Sequence, residues 1–381
     1  MIAVNDSTTN DSTTNDPTTN DQTTNDPTTN DQTTTSGDAS PAACPSGPIA
    51  VTGATGFLGK RATESLLREG CRLRCLVRGA SHIEPLVETA AELGVSDALE
   101  FVRLDLRDRP AVVEALQGCP TLVHLAAGLT GSTSTLFASG PIATRHLLHA
   151  AADAGVVRVV LISSLGVYEA SSLKSGGLQD ESCSVDRRAA QRDPYSYAKI
   201  VQERVAREVA DERDLELVVL RPGVIFGEGR PAISSRAGLQ LGGLLVQLGG
   251  RQRMPYTYVA NCGDAVARAA IASEAAGQTL NILDDDLPTA SQLIKTCRKL
   301  GRRVRRVWVP GPLVPGLCGL YHAYSRWTGG QLPPVLTRYR AKSMWRRVRY
   351  TNERVKTVLG WSPRVPMAEA IARTVAAEQA K

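Results

Sequence analysis

The sequence predicts an α/β fold, in which a doubly wound parallel sheet is followed by a smaller C-terminal region. Strand-like and helix-like segments alternate from Pro48 to about Phe226, which is typical of a parallel sheet covered by helices on both faces. A stretch with three glycines, VTGATGFLGK at 51–60, joins the first strand to the first helix. From Phe226 onward the chain is rich in Gly, Arg and Pro and its elements are irregular, so we assign that part to a second region.

Short apolar runs predict the strands, because a strand buried on both faces has no polar side to show. These runs are PIAVTG (48–53), RLRCLVR (72–78), LEFVRLDL (99–106), TLVHLAA (121–127), VRVVLISS (157–164) and LELVVLRPG (215–223). Longer segments with helical periodicity predict helices at 57–70, 111–118, 140–155 and 195–212. The first of them places Leu58, Ala62 and Leu66 on one face and ends at Gly70.

The first 45 residues are predicted to be a disordered, low-complexity tail. An Asn-Asp-x-Thr-Thr repeat, which begins at Asn5, offers no apolar face that could be buried. It also lacks the basic start and apolar run of a signal peptide, so we expect a cytoplasmic protein. The fold should begin near Ser46, after the spacer around Pro41 and Pro45.

The composition is that of a globular protein with a mild positive charge. The 381 residues are 42% hydrophobic and 22% charged, and the net charge is +6. This charge suits an anionic ligand and does not predict nucleic-acid binding. The eight cysteines form no metal-binding pattern, and we expect no metal site. We interpret Cys71 and Cys75, four residues apart on a predicted strand, as free thiols in a reducing compartment.

The glycines Gly53, Gly56 and Gly59 follow a strand and open a helix, which is the setting of a dinucleotide-binding fingerprint. Gly53 would allow the tight turn, Gly56 the approach of a pyrophosphate, and Gly59 the packing of the helix on the strand. This context favours a Rossmann-type NAD(P) site over a glycine-rich turn without a ligand. Arg78 ends the second strand, where a carboxylate would bind the ribose of NAD and an arginine suits the 2′-phosphate of NADP. Unless Arg78 is an ordinary surface arginine, it favours NADP.

YSYAK places Tyr195 and Lys199 four residues apart on one face of a helix. A phenol titrates near pH 10, but a nearby ammonium and a positively charged nicotinamide would lower its pKa and make Tyr195 a general acid/base. Tyr197 would face elsewhere. Ser163 and Ser164 end a strand at the carboxyl edge of the sheet, where one hydroxyl could hold the substrate oxygen or simply cap the strand.

With these motifs in this order, the chain resembles the extended short-chain dehydrogenase/reductase family, also called the NAD-dependent epimerase/dehydratase family. The matching segments, between Ile49 and Val375, are TGATGFLG, LDLRD, VHLAA, ISSLGVY, YSYAK with Glu203, LRPGVIFGEG, YVANCGDAV and LGWSP. The resemblance implies a catalytic Ser164, because this serine lies four residues before Tyr168, together with Tyr195 and Lys199. The cofactor contacts that the motifs and the resemblance imply are Gly53, Thr55, Gly56, Phe57, Leu58, Gly59, Arg78, Asp105, Leu106, Ala126, Ala127, Tyr195, Lys199, Pro222 and Val224.

The resemblance also implies a division of the chain. Residues 46–225 would form the NAD(P)-binding domain, completed by 256–285, and residues 226–255 and 286–381 would bind the substrate. Gly140 stands where the family usually has an Asn in its proton relay, and Ala260 stands where an Asp is common. Leu165 and Gly166 replace the acidic pair that dehydratases need for elimination, which argues against a dehydratase.

Two enzyme functions remain, and both act on a small-molecule substrate. One is a reductase or dehydrogenase of an apolar alcohol or ketone, similar to the hydroxysteroid and flavonol-type members, with exchangeable NADP(H). The other is a sugar-nucleotide epimerase with tightly bound NAD, for which Arg251 and Arg253 could bind the diphosphate. A non-catalytic dinucleotide-binding protein ranks third, because such proteins usually lose the Tyr-Lys pair and this chain has both residues.

Two further expectations concern partners. The basic cluster Arg302–Arg306 and the apolar residues after it could rest on a membrane surface through 302–321, or form a buried lid beside a solvated edge. Helices that flank a sheet of this kind often pair, so a homodimer is the second expectation.

Overall fold

The computed structural model describes residues 44–128, 131–328 and 337–380. The predicted disordered tail lies outside the described residues, apart from its last two positions. The strands are β1 (Ile49–Thr52), β2 (Leu73–Val77), β3 (Leu99–Arg103), β4 (Thr121–His124), β5 (Arg158–Ile162), β6 (Leu178–Gln179), β7 (Glu216–Pro222), β8 (Val224–Phe226), β9 (Leu239–Leu241), β10 (Leu244–Leu248), β11 (Tyr256–Tyr258), β12 (Thr279–Ile282), β13 (Arg305–Val309) and β14 (Arg349–Tyr350). The α-helices are α1 (Phe57–Arg68), α2 (Glu84–Glu92), α3 (Arg109–Leu116), α4 (Thr133–Phe137), α5 (Ala143–Asp153), α6 (Pro194–Arg213), α7 (Val259–Ile271), α8 (Ala290–Lys299), α9 (Val314–Trp327), α10 (Arg338–Trp345), α11 (Glu353–Leu359) and α12 (Met367–Gln379).

Seven parallel strands form the central sheet in the order β12-β7-β5-β4-β1-β2-β3. This confirms the predicted α/β fold. Successive residues of β1 point into opposite cores, so that Val51 packs with α1, α2, α7 and α11, while Ala50 packs with α3, α5 and α6. The chain leaves β1 toward β2 on one side and returns to β4 on the other. Ligands of such sheets bind at this switch point, outside the carboxyl ends of the strands.

After β8 the chain contributes both to the main body and to a smaller sheet. Residues 259–282 return to the main body, where α7 packs against α1 and β12 extends the sheet beside β7. The rest includes a small sheet in which β10 pairs with β13 in parallel and with β9 in antiparallel. Leu248 of that sheet shares a small core with Val314 and Cys318 of α9 and Ala341 of α10.

The prediction for Cys71 is wrong. Cys71 forms a disulfide with Cys44, across Cα atoms 5.3 Å apart, whereas Cys75 is a free, buried thiol as predicted. The two cysteines meet because the spacer before β1, which we expected to lie outside the fold, runs back to the end of α1. Helix α2 was also not predicted. Among the described residues, no helix is long and apolar enough to cross a membrane.

Candidate active site

The glycine loop leaves almost no space for side chains on its inner side. Gly53 has φ +74°, and a Cβ there would lie 2.7 Å from the backbone nitrogen of Ala126. A Cβ on Gly59 would lie 2.0 Å from the carbonyl oxygen of Gly53, so α1 packs directly on the turn. Gly56, the N-cap residue just before α1, supplies no side-chain cap to the first N–H groups of the helix. An uncapped helix start beside an open backbone fits the pyrophosphate of a dinucleotide.

The structure places the predicted cofactor contacts along the carboxyl edge of the sheet. The glycine loop follows β1, Arg78 follows β2, Asp105 and Leu106 follow β3, Ala126 and Ala127 follow β4, Pro222 ends β7, and Val224 begins β8. Arg78 is exposed. Beside it, Arg103 donates to the carbonyl oxygen of Gly79 at 2.6 Å. Hydrogen bonds from Arg107, helped by the charge of Arg78, lower the pKa of Asp105 to about 2. The guanidinium groups of Arg78 and Arg103 therefore both lie beside the loop after β2.

The two serines that follow β5 have different partners. The Ser164 hydroxyl accepts a hydrogen bond from the backbone N–H of Gly166 at 3.0 Å. It also lies close enough to the phenol of Tyr195 to lower the pKa of that group. Ser163 instead donates to the buried carboxylate of Glu203 at 2.6 Å. Tyr197 packs edge-on against Phe137, away from this pair. The geometry therefore joins Ser164 to Tyr195 and leaves Ser163 in the framework.

Local capping explains where the phenol lies. The Asp193 side chain accepts a hydrogen bond from the backbone N–H of Ser196, and Pro194 is the first residue of α6. This cap starts the helix at a defined residue, so Tyr195 lies in the first turn and Lys199 one turn further on. Both residues face the end of β5.

The electrostatics of the pair differ from the prediction. Burial raises the pKa of Tyr195, and the nearby Ser164 hydroxyl and the charge of Arg230 offset this only in part. The ammonium of Lys199 points instead to the carbonyl oxygen of Ile162, at 2.7 Å, and to Gln202 Oε1, at 2.9 Å. Burial lowers the pKa of Lys199 to about 8. Near neutral pH the phenol of Tyr195 and the amine of Lys199 are therefore both protonated.

A buried polar chain behind Lys199 was missed by the sequence analysis. Gln202 Nε2 donates to Thr144 Oγ1 at 2.8 Å, and that hydroxyl is hydrogen-bonded to Nε2 of His124 at 2.9 Å. His124 Nδ1 lies 2.8 Å from Thr52 Oγ1. Burial and the charge of Lys199 lower the pKa of His124 to about 3, so the imidazole is neutral. No sequence spacing links residues from β1, β4, α5 and α6, so only the fold could reveal this chain.

The sequence analysis also missed Arg230. Its guanidinium stacks on the ring of Phe57 in the glycine loop, 4.6 Å from the ring centroid, and interacts electrostatically with Tyr195. Burial lowers the pKa of Arg230. This residue therefore connects the loop after β8 to both the cofactor loop and the phenol. Its only sequence signal is its place in GEGRP.

Arg251 and Arg253, the predicted diphosphate ligands, lie in the loop after β10. Arg251 is exposed, and Arg253 donates to the carbonyl oxygen of Leu287 at 2.5 Å. No described contact joins either of them to Ser164 or Tyr195. Among the described residues, no three His, Cys, Asp or Glu side chains are grouped so that they could hold a metal ion.

Comparisons with known proteins agree with this geometry. Residues 49–282 match the model of the NAD-dependent epimerase/dehydratase family. The chain is 33% identical over 183 residues to cinnamoyl-CoA reductase 1 of Petunia hybrida, in an alignment that covers 47% of this chain and 54% of that protein. The chain therefore spans about half the length of that relative. The sterol-4-alpha-carboxylate 3-dehydrogenase of Candida albicans is 26% identical over 345 residues, which are 86% of this chain and 96% of that protein.

Solved structures show the same fold. The UDP-glucuronic acid 4-epimerase of Bacillus cereus, solved with UDP-glucuronic acid and NAD, aligns with a TM-score of 0.65 and 18% identity, covering 88% of this chain and 100% of that one. At this identity the likeness concerns the fold alone. Together with the match over residues 49–282, the glycine loop and the Tyr-Lys helix show that the chain belongs to the NAD-dependent epimerase/dehydratase family of extended short-chain dehydrogenases/reductases.

Proposed function

We propose that the protein is an NAD(P)-dependent oxidoreductase that interconverts a secondary alcohol and a ketone. The observation that carries this proposal is the placement of Ser164 and Tyr195, which interact at the carboxyl end of β5, beside the glycine loop. A nicotinamide bound along this edge would supply or accept the hydride at its C4.

Each side chain would have a distinct role. The Ser164 hydroxyl holds the substrate oxygen. The Tyr195 phenol gives its proton to that oxygen in reduction, or takes it back in oxidation. Lys199, whose ammonium is held by Ile162 and Gln202, would supply a positive charge one helical turn from the phenol and stabilise the phenolate that forms.

The test is a Tyr195→Phe variant, assayed against sterol-like ketones and UDP-sugars while the absorbance of the reduced cofactor is followed. We expect turnover to fall at least 100-fold, because the reacting oxygen loses its proton donor. Tyr197→Phe, two residues away on another face, is the matched control and should stay active. Unchanged turnover in Tyr195→Phe would contradict the catalytic role of Tyr195, and cofactor binding without any turnover by the wild type would favour a non-catalytic dinucleotide-binding protein.

NADP(H) is the proposed cofactor. Its support is the exposed Arg78 after β2, with Arg103 beside it, where an NAD-specific site would have a carboxylate. Arg78→Asp should lower kcat/KM for NADPH about tenfold or more and leave NADH less affected. Arg72→Ala, at an exposed arginine before β2, is the control.

Two substrate classes remain in competition. The sterol dehydrogenase relative, which aligns with most of the chain, supports an apolar alcohol or ketone similar to a hydroxysteroid. The alternative is a UDP-sugar epimerase, which the half-buried Arg230 beside Tyr195 favours because it could bind an anionic substrate group. NAD retained through purification would favour the epimerase, and freely exchanging NADPH the reductase. A homodimer, testable by light scattering, also stays a proposal.

A further inference from the structure

Helix α9 exposes an apolar stripe. Leu317, Leu320, Tyr324 and Trp327 recur at intervals of three and four residues and are 38%, 73%, 51% and 81% exposed. Tyr324 and Trp327 stack with their ring centroids 5.9 Å apart. Only the adjoining face of the helix, with Val314 and Cys318, is buried in the small core. The stripe runs past the predicted 302–321 segment as far as Trp327.

Exposed apolar side chains are concentrated in this part of the protein. Eight of the thirteen exposed large apolar residues of the described chain fall between Leu300 and Trp327. They include Val307 and Trp308 on β13, at the edge of the small sheet. A patch this concentrated marks an interaction surface, since scattered exposure is the usual pattern.

The charge of the surrounding sequence is one-sided. Residues 287–352, which we call the basic segment, contain fourteen Lys and Arg and no Asp or Glu. Lys295, Arg298 and Lys299 of α8 line one groove together with Arg306 of β13. Beside the stripe, Arg338 lies against Gly319 of α9. The chain as a whole carries only +6, so the positive charge is strongly localised.

We propose that the α9 stripe, the cations of the groove between α8 and β13, and Arg338 form a docking face for an anionic lipid bilayer. The helix would lie in the headgroup plane, with its leucines in the acyl boundary and its Tyr–Trp pair at the interface. The cations would bind anionic headgroups around it.

Charge argues for this occupant over the others. A second copy of the chain would bring two acid-free basic segments together, and like charges would repel. A nucleic acid would satisfy the cations but leave the apolar stripe in water. Of these three occupants, an anionic bilayer is the one that complements both features.

The full-length protein can be tested by sedimentation with vesicles and no substrate, so the outcome does not depend on the proposed reaction. We expect binding to phosphatidylcholine vesicles that contain about 30% phosphatidylserine, weaker binding to phosphatidylcholine alone, and loss of binding as salt rises. The fluorescence of Trp327 should shift to the blue on binding, and Trp327→Phe should remove most of that shift.

Two double variants separate the contributions. Leu320→Ser/Trp327→Ser and Arg303→Glu/Arg306→Glu should each weaken binding to the anionic vesicles at least tenfold. Val157→Ser removes a valine that is 53% exposed outside the patch and should bind as the wild type does. Because the changed side chains are exposed, all variants should unfold at the wild-type temperature.

Three results would overturn the proposal. The first is no binding by the wild type. The second is equal binding by wild type and both double variants. The third is a dimer in light scattering that Leu320→Ser/Trp327→Ser dissociates, with no vesicle binding by either protein, which would assign the face to a second copy.

Discussion

Gln202 accepts a hydrogen bond from the ammonium of Lys199 at 2.9 Å and donates a second hydrogen bond to the hydroxyl of Thr144 at 2.8 Å. Through Thr144, this buried amide thus links Lys199 to the neutral imidazole of His124. Gly140, at the position where the family's relay has an Asn, has no side chain to offer. In this chain the lysine is held by Gln202 instead.

Changing Gln202 should alter the pH profile in opposite directions. Gln202→Leu removes an acceptor from the charged amine, which lowers the pKa of Lys199 and moves the alkaline limb of kcat to lower pH. Gln202→Glu adds a negative charge and should move that limb upward. We expect kcat of Gln202→Leu to fall about 10- to 100-fold, the effect of one hydrogen bond to a charged group.

The matched control for this pair is Gln240→Leu, at an exposed residue of β9. Its pH profile should be that of the wild type. If Gln202→Leu and Gln202→Glu shift the limb in the same direction, Gln202 has only a structural role.

The two serines after β5 should respond differently to removal of their hydroxyls. Ser164→Ala should lower kcat about 100-fold at an unchanged melting temperature, because it loses the hydroxyl beside the reacting oxygen. Ser163→Ala should instead lower the free energy of unfolding by about 1–3 kcal/mol, because the buried carboxylate of Glu203 loses a donor. Steady-state kinetics and thermal unfolding of both variants check this assignment, and the reverse pattern would contradict it.

Glu203 forms a buried ion pair behind Ser163. Its buried carboxylate pairs with Arg221, whose guanidinium stacks on the ring of Tyr168 at 4.5 Å. Glu203→Gln should lower the free energy of unfolding by about 3–5 kcal/mol, because Arg221 would stay buried without its counter-charge. Urea unfolding measures the change.

Glu208→Gln is the control on the same helix. Glu208 pairs with Arg145 and Arg204 on the exposed side of α6, where such pairs contribute less than about 1 kcal/mol. Similar losses in Glu203→Gln and Glu208→Gln would mean that burial of the Arg221 pair does not matter.

The disulfide between Cys44 and Cys71 predicts a thiol count. Since the chain has eight cysteines, the unfolded, unreduced protein should titrate six thiols, and a count of eight would contradict the bond. Cys44→Ser should lower the free energy of unfolding by about 3 kcal/mol, because the bond closes a loop in the unfolded chain. Cys183→Ser, at a free and partly exposed thiol, should have little effect.

Asp284 should make stability depend on pH. Burial raises the pKa of its carboxyl to about 7, above the ordinary 3.8, although Tyr258, Asn261 and Thr257 donate hydrogen bonds to it. The folded state therefore holds this proton more tightly than the unfolded state, and stability is lost as pH rises from about 4 to 7.

Asp284→Asn cannot lose this proton, so its stability relative to the wild type should increase between pH 5 and pH 8, by up to a few kcal/mol. Urea unfolding at the two pH values measures the difference. Asp97→Asn, at an exposed residue, should keep the wild-type trend. A constant difference between Asp284→Asn and the wild type at both pH values would show that Asp284 does not titrate in this range.

Local sequence determined the alternating strands and helices, the glycine loop and the start of α6, because each depends on neighbours within a few residues. Apolar runs predict β1 to β5 and β7, and Asp193 and Pro194 set the turn that carries Tyr195. The order of the motifs was enough to indicate the family. Helix α2 has local signals as well, with Pro85 in its first turn and Leu86 and Ala90 on one face, and the sequence analysis missed them.

Only the tertiary structure decided what each buried polar group contacts. The Lys199–Ile162 and Gln202–Thr144 hydrogen bonds, the Arg230–Phe57 stack and the Cys44–Cys71 bond join residues far apart in the chain, and their spacing has no period that a sequence pattern could show. Burial also set the pKa directions of Tyr195 and Lys199, since desolvation depends on which elements cover a group. Local patterns in the sequence define each element separately. The chemistry of this site depends on how those elements pack together.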